Sequence, residues 1–69
     1  MQYEYYGRRF TKGEPVESPE PDSLVICEGK CWKSDGEGPW GVGLWRGGHP
    51  LYNDYPRLPM WRAVEVRGE

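Results

Sequence analysis

The clearest alternation of apolar and small positions lies at residues 40–45, WGVGLW, where Trp40, Val42 and Leu44 alternate with Gly41, Gly43 and Trp45. A period of two sends successive side chains to opposite faces, so this stretch predicts a strand with two distinct sides. Residues 30–33 before it are short and aromatic. The intervening residues 34–39, SDGEGP, offer an Asp-Gly pair tolerant of positive φ and a proline without a donor. Together they predict a β-hairpin with its turn at 34–39. Gly41 and Gly43 share one face of the second arm, where another backbone or a bulky ring must approach closely. A helix here would bear both glycines at about 1 kcal/mol each.

The remaining pattern is also extended. Leu24–Cys27 (LVIC) is a consecutive aliphatic, β-branched run and predicts the central, most buried strand. Glu28, Gly29 and Lys30 then predict a tight turn or a bulge leading into Cys31 and Trp32. Tyr3, Tyr5, Tyr6 and Phe10 mark a first strand over 2–10, with Gly7 as a bulge or point of close approach. At 60–66, Met60, Arg62, Val64 and Val66 alternate with Trp61, Ala63 and Glu65, predicting a closing strand.

Two stretches read as loops. Residues 11–23 hold three prolines among spaced acids and predict a surface loop, partly in the polyproline manner. Residues 47–59 hold three prolines, two tyrosines and the single histidine, and their length as a loop marks them as a functional candidate. No window shows the apolar spacing of a helix. The fold class expected is therefore all-β, one freestanding domain over residues 1–69. Its five short strands would form a small SH3-like barrel or a strongly curled antiparallel sheet, with OB-like or open meander topologies as alternatives. The WRGG step at 45–48, followed by a proline-bearing loop and a closing strand, resembles SH3 domains, and no site is carried over from them.

Composition changes this picture in one respect. Four Trp, five Tyr and one Phe outweigh a thin aliphatic supply, so the core is expected to draw mainly on rings. If all four indoles were internal, each N–H would need a buried partner, which so small a chain can hardly supply. One or two rings should therefore be exposed, unless prolines cover them.

Charge excludes little but weighs against one class. A net charge of −2 does not suit a phosphate backbone. Residues 1–12 hold Arg8, Arg9 and Lys12 against Glu4, whereas 13–28 hold Glu14, Glu17, Glu20, Asp22 and Glu28 without a base. The acidic stretch is either a solvated loop or a surface for a basic partner. There is neither an apolar run of ~18 residues nor the apolar core of a secretion signal, so a cytoplasmic location without a membrane partner is expected.

Candidate chemistry is sparse. Cys27 and Cys31 form C-x₃-C, readable as half a zinc site with His49, as a disulfide, or as two buried thiols; the missing second knuckle and a reducing cytosol favour the thiols. His49 with Asp54, and Asp35 with Glu37, lie in glycine- or proline-rich stretches that would not hold a catalytic pair rigidly. No nucleophile elbow or phosphate loop occurs. A non-enzymatic chain without cofactor, metal or small-molecule substrate is expected.

What remains is the aromatic surplus. Exposed Trp and Tyr beside Arg are the usual composition of binding hot spots, and the set expected to bind a partner is Trp40, Trp45, Arg46, Tyr52, Tyr55 and Arg57. The function expected is a protein-interaction module docking on a larger protein, as an inhibitor or adaptor of the phage or mobile-element kind. The alternative is a small-barrel binder of single-stranded nucleic acid, stacking bases on Tyr3, Tyr5, Trp32 and Trp40 with Arg8, Arg9 and Lys12 on the backbone.

Overall fold

The computed structural model describes residues 1–67, and in them the chain is all-β. Seven strands follow in order: β1 (Tyr3–Tyr5), β2 (Arg8–Val16), β3 (Leu24–Cys27), β4 (Lys30–Gly38), β5 (Gly41–Arg46), β6 (His49–Asn53) and β7 (Met60–Glu65). All pair antiparallel in one sheet, in the spatial order β1-β2-β7-β3-β4-β5-β6. Of the expected architectures it is the strongly curled antiparallel sheet, with seven strands in place of five. The LVIC run is central as predicted: β3 lies in the middle of the order, and Val25, Ile26 and Cys27 are each at most 1 % exposed.

The sheet curls until β1 packs against β4, although β2, β7 and β3 separate them in the ladder. Apolar side chains then fill both faces of β3. Val25 and Cys27 join Trp32, Val42, Leu44 and Met60 on one side, while Ile26 joins Phe10 and Cys31 on the other, flanked by Tyr3 and Tyr5. The core differs from expectation in kind. Phe10 and Trp32 are the buried rings among the described residues, and the fully buried large side chains are Ile26, Leu44, Val25, Val42, Asn53 and the two cysteines. Aliphatic bulk sits inside because the strand covered on both faces is the LVIC run, whereas the rings stand on other strands and on turns.

Several element boundaries are corrected. The expected first strand over 2–10 is a hairpin, broken at Tyr6 and Gly7 with φ of 51° and 79°. Two consecutive positive φ values match the right-handed twist of the flanking strands, and the same device joins β3 to β4 at Glu28 (56°) and Gly29 (73°). The expected loop over 11–23 shrinks to 17–23, because β2 runs to Val16 and pairs with β7 across a register shift between Lys12 and Pro15. A bulge tolerates Pro15, which a regular ladder would not. The turn predicted at 34–39 moves to Pro39 and Trp40, since Ser34–Gly38 belongs to β4 and its Gly36 (φ 83°) serves a second register shift. The loop predicted over 47–59 contains β6, so 47–48 are a tight turn and 54–59 remain a loop.

Candidate functional site

The structure divides the six expected partner-binding residues into three places. Trp40, Tyr52 and Trp45 come together. Trp40 is carried on the β4–β5 turn and is 68 % exposed, Tyr52 on β6 is 50 % exposed, and Trp45 on β5 is half-buried. Their rings meet edge to face, with centroids 6.4 Å apart at 64° for Trp40 and Tyr52 and 6.2 Å apart at 87° for Trp45 and Tyr52. This is the favoured geometry of aromatic quadrupoles, negative face to positive edge.

The cluster exists because of Gly43, which pairs in register with Tyr52. A Cβ added at Gly43 would lie 3.8 Å from Trp45 Nε1, 3.8 Å from Tyr52 Cε1 and 3.3 Å from Asp35 Cβ. The missing side chain thus lets the two rings and Asp35 close over the strand to within the space of a single methyl. The other glycine of the pair works differently. Gly41 (φ 91°) presses on the backbone of Asn53 and Asp54, so the expected close approach occurs at both positions, by backbone at one and by rings at the other.

Tyr55 and Arg57 form a second group in the 54–59 loop. Tyr55 is 86 % exposed with the Arg57 guanidinium 5.8 Å from its ring centre. Arg57 is tied to the Glu37 carboxylate and donates to the carbonyl of Glu17 at 3.1 Å, while Ser18 also donates to Glu37. Those hydrogen bonds, from Arg57 first, hold the Glu37 carboxyl below its ordinary range. Tyr55, Arg57, Trp61 and neighbouring prolines line an open groove of about 750 Å³.

Arg46 stands apart from both groups. It turns toward β1, donating to the carbonyls of Glu4 (2.9 Å) and Cys31 (3.0 Å), with Tyr5 beneath its guanidinium. The residues expected to stack and bind nucleic acid are largely committed too. Trp32 is buried and its indole donates to the Cys27 carbonyl at 2.7 Å; Tyr3 and Tyr5 pack on the core. Arg8 pairs with Glu65 at 2.9 Å, and the Lys12 ammonium lies 3.8 Å over Trp61. Of the four stacking candidates only Trp40 offers an open ring; Arg9 remains exposed.

Cys27 and Cys31 point to opposite faces of the sheet, because Cys31 pairs with Ile26 and not with Cys27. No shared disulfide or metal can join them, and burial pushes both thiols up to about 11. Among the described residues no three His, Cys, Asp or Glu side chains gather as metal ligands. His49 begins β6 and Asp54 follows its end, so they do not form a dyad. There is no helix among the described residues long and apolar enough to cross a membrane.

Sequence reasoning missed Asp35 as the close neighbour of Gly43 beside the two rings. The signal was present in the side-chain-free face of β5, but the neighbour across it depended on the bulge that displaces Asp35 between Ser34 and Gly36. Compared with protein-family models, curated proteins and solved structures, the chain finds no match in any of the three.

Proposed function

We propose that this chain is a non-enzymatic protein-interaction module, an inhibitor or adaptor that docks on a larger protein through the Trp40, Tyr52 and Trp45 face. The observation behind this reading is that three large rings cluster together with Trp40 68 % and Tyr52 50 % exposed. Clustered Trp and Tyr are the residues that dominate binding energy at protein interfaces, where they exclude water around a few deep contacts. Ring orientation favours a protein over a nucleic acid. Successive bases stack in parallel, whereas rings at 64° and 87° form a corner that receives a projecting side chain.

The edge next to the cluster supports docking by side chains. β6 is an edge strand, and Pro50 within it has no N–H to offer an added strand. A cytoplasmic setting belongs to the proposal, since two unpaired thiols suit a reducing compartment.

Affinity capture from the source cell, repeated with Trp40→Ala, Trp45→Ala and Tyr55→Ala, tests the reading. Trp40→Ala and Trp45→Ala should keep the circular dichroism of the parent and lose capture at least about tenfold, as hot-spot truncations do. Capture that survives both changes rules out this face. Loss with Tyr55→Ala as well would extend the contact to the 54–59 loop.

A further inference from the structure

We infer that a cavity of about 400 Å³ beside the β1–β2, β3–β4 and β5–β6 turns binds a carboxylate, with Lys30, Arg46 and His49 as its donors. It lies on the opposite face of the β5–β6 hairpin from Trp45 and Tyr52, so the inference goes beyond the docking face and stands without it. Placement, charge and open donors lead to it.

Lys30 and Trp32 are two apart on β4, and Arg46 and His49 are register partners across the β5–β6 turn. A period of two puts each pair on one face. Arg46 follows Trp45, the register partner of Lys33, and so comes level with Trp32. Glu4 on β1 and Tyr6 in the turn after it complete the lining, the Tyr6 hydroxyl standing 3.1 Å from where a Cβ on Gly47 would be. An indole and a phenol thus flank three bases, with room for a carboxyl group on a short carbon stem.

The chain carries a net charge of −2, yet here bases outnumber acids. Lys30 and Arg46 face Glu4 alone, which leaves a positive surplus even with His49 neutral. The other hollows differ: the open groove sets Arg57 among Glu17 and Glu37, and a smaller cavity sets Arg62 against Glu20. Arg9 and Lys12 also lack an acid partner among the described residues, but neither lines any of the three. Two bases against one acid suit a singly charged carboxylate.

Glu4 does not exhaust the donors. One of its carboxylate oxygens accepts from Arg46 Nη2 at 3.4 Å and the other from the Gly7 N–H at 2.6 Å. Of the five N–H groups of Arg46, two go to the carbonyls of Glu4 and Cys31 and one to the Glu4 carboxylate, so two remain. Those carbonyl bonds hold the guanidinium in place before any ligand arrives, which lowers the ordering cost of binding. Lys30 and His49 are exposed and make no ion pair or side-chain hydrogen bond among the described residues, so their donors are open to an incoming carboxylate.

The test uses the full chain and small probes, followed by the backbone amide signals in ¹H–¹⁵N NMR spectra. The probes are N-acetyl-glutamate N-methylamide, the glutamine derivative, which keeps its shape without the charge, propionate, and inorganic phosphate. The glutamate derivative should shift the signals of Lys30, Trp32, Arg46 and His49, and the glutamine derivative should bind at least about tenfold more weakly. Lys30→Gln should weaken glutamate binding at least about threefold, and Lys30→Glu should abolish it. Lys33→Gln removes the same charge from the opposite face of the same strand and should leave binding unchanged. Both lysines are exposed, so the variants keep the sheet. Tighter binding of the glutamate derivative than of propionate assigns the cavity to an acidic side chain of a protein, and equal binding assigns it to a free small acid; both support the carboxylate site. Equal binding of the glutamate and glutamine derivatives, equal losses with Lys30→Gln and Lys33→Gln, tighter binding of phosphate, or no shift at the four residues would overturn it.

Discussion

Arg46 Nη1 donates to the backbone carbonyl of Glu4 at 2.9 Å across 42 residues of chain. The same nitrogen reaches the Cys31 carbonyl at 3.0 Å, so one guanidinium joins β1 to β4 where the ladder does not. Arg46→Ala leaves both carbonyls to water and loosens the three-residue β1 over Phe10 and Cys31. The expected cost is about 1–2 kcal/mol, the range for hydrogen bonds from a charged donor at a partly exposed site. Urea denaturation should show it as a lower midpoint with unchanged slope. Arg46→Lys should recover only part, because an ammonium lacks the planar fork.

Gly41 and Gly43 look alike in sequence and should respond to alanine to different degrees. At Gly41 the new methyl runs into the Asn53 carbonyl from a backbone with φ of 91°, so Gly41→Ala should cost more than about 3 kcal/mol. At Gly43 the φ is ordinary and the tightest contact, 3.3 Å to Asp35 Cβ, asks its neighbour to give by only a few tenths of an ångström, so the cost should stay near about 1 kcal/mol. Thermal unfolding of the two variants side by side separates them.

These two glycines also show how far the sequence could be read. The period of two at 42–45 and the aliphatic run of β3 were legible because burial on a sheet imposes them directly. The strands hidden inside apparent loops were not. Pro15 sits at the irregularity in β2, Pro50 in the edge strand β6, and Gly36 at the bulge in β4. Each is a residue that normally ends a strand and is tolerated where the ladder is interrupted or unpaired. For the site, Trp40, Trp45 and Tyr52 could be picked out by composition. Arg46 could not be separated from them, because its role depends on the curl that brings Glu4 to it.

The buried thiols weaken the fold at alkaline pH. Cys27 and Cys31 hold their protons in the fold up to about 11, against an ordinary value of 9.0 once released. Between those values the unfolded chain binds fewer protons than the folded one, so stability falls as pH rises from about 9 toward about 11. Cys27→Ser is a poor control because it buries a hydroxyl; Cys31→Ala should instead flatten the decline relative to its own stability at neutral pH. Thiol titration with a disulfide reagent should be slow in buffer and fast in urea for both residues.

The acid limit follows from two ion pairs. Hydrogen bonds from Arg57 and from Arg8 hold Glu37 and Glu65 below the ordinary 4.5. Their stabilisation is complete above that value and is lost as pH falls through the lowered ones. The Arg8→Gln and Glu37→Gln variants should therefore each show a shallower loss of stability below about pH 4.5 than the parent.

The contrast between Trp32 and Trp40 bears on everything proposed for this chain, since one sheet buries the first at 8 % exposure and delivers the second outward at 68 %. Labelling with 5-fluorotryptophan, assignment by single Trp→Phe changes, and comparison of ¹⁹F shifts in H₂O and D₂O measure it directly. Trp40 should show close to the full solvent shift and Trp32 almost none, with Trp45 and Trp61 between them. A shielded Trp40, or a Trp32 open to solvent, would contradict both the packing of the sheet and the docking face built on it.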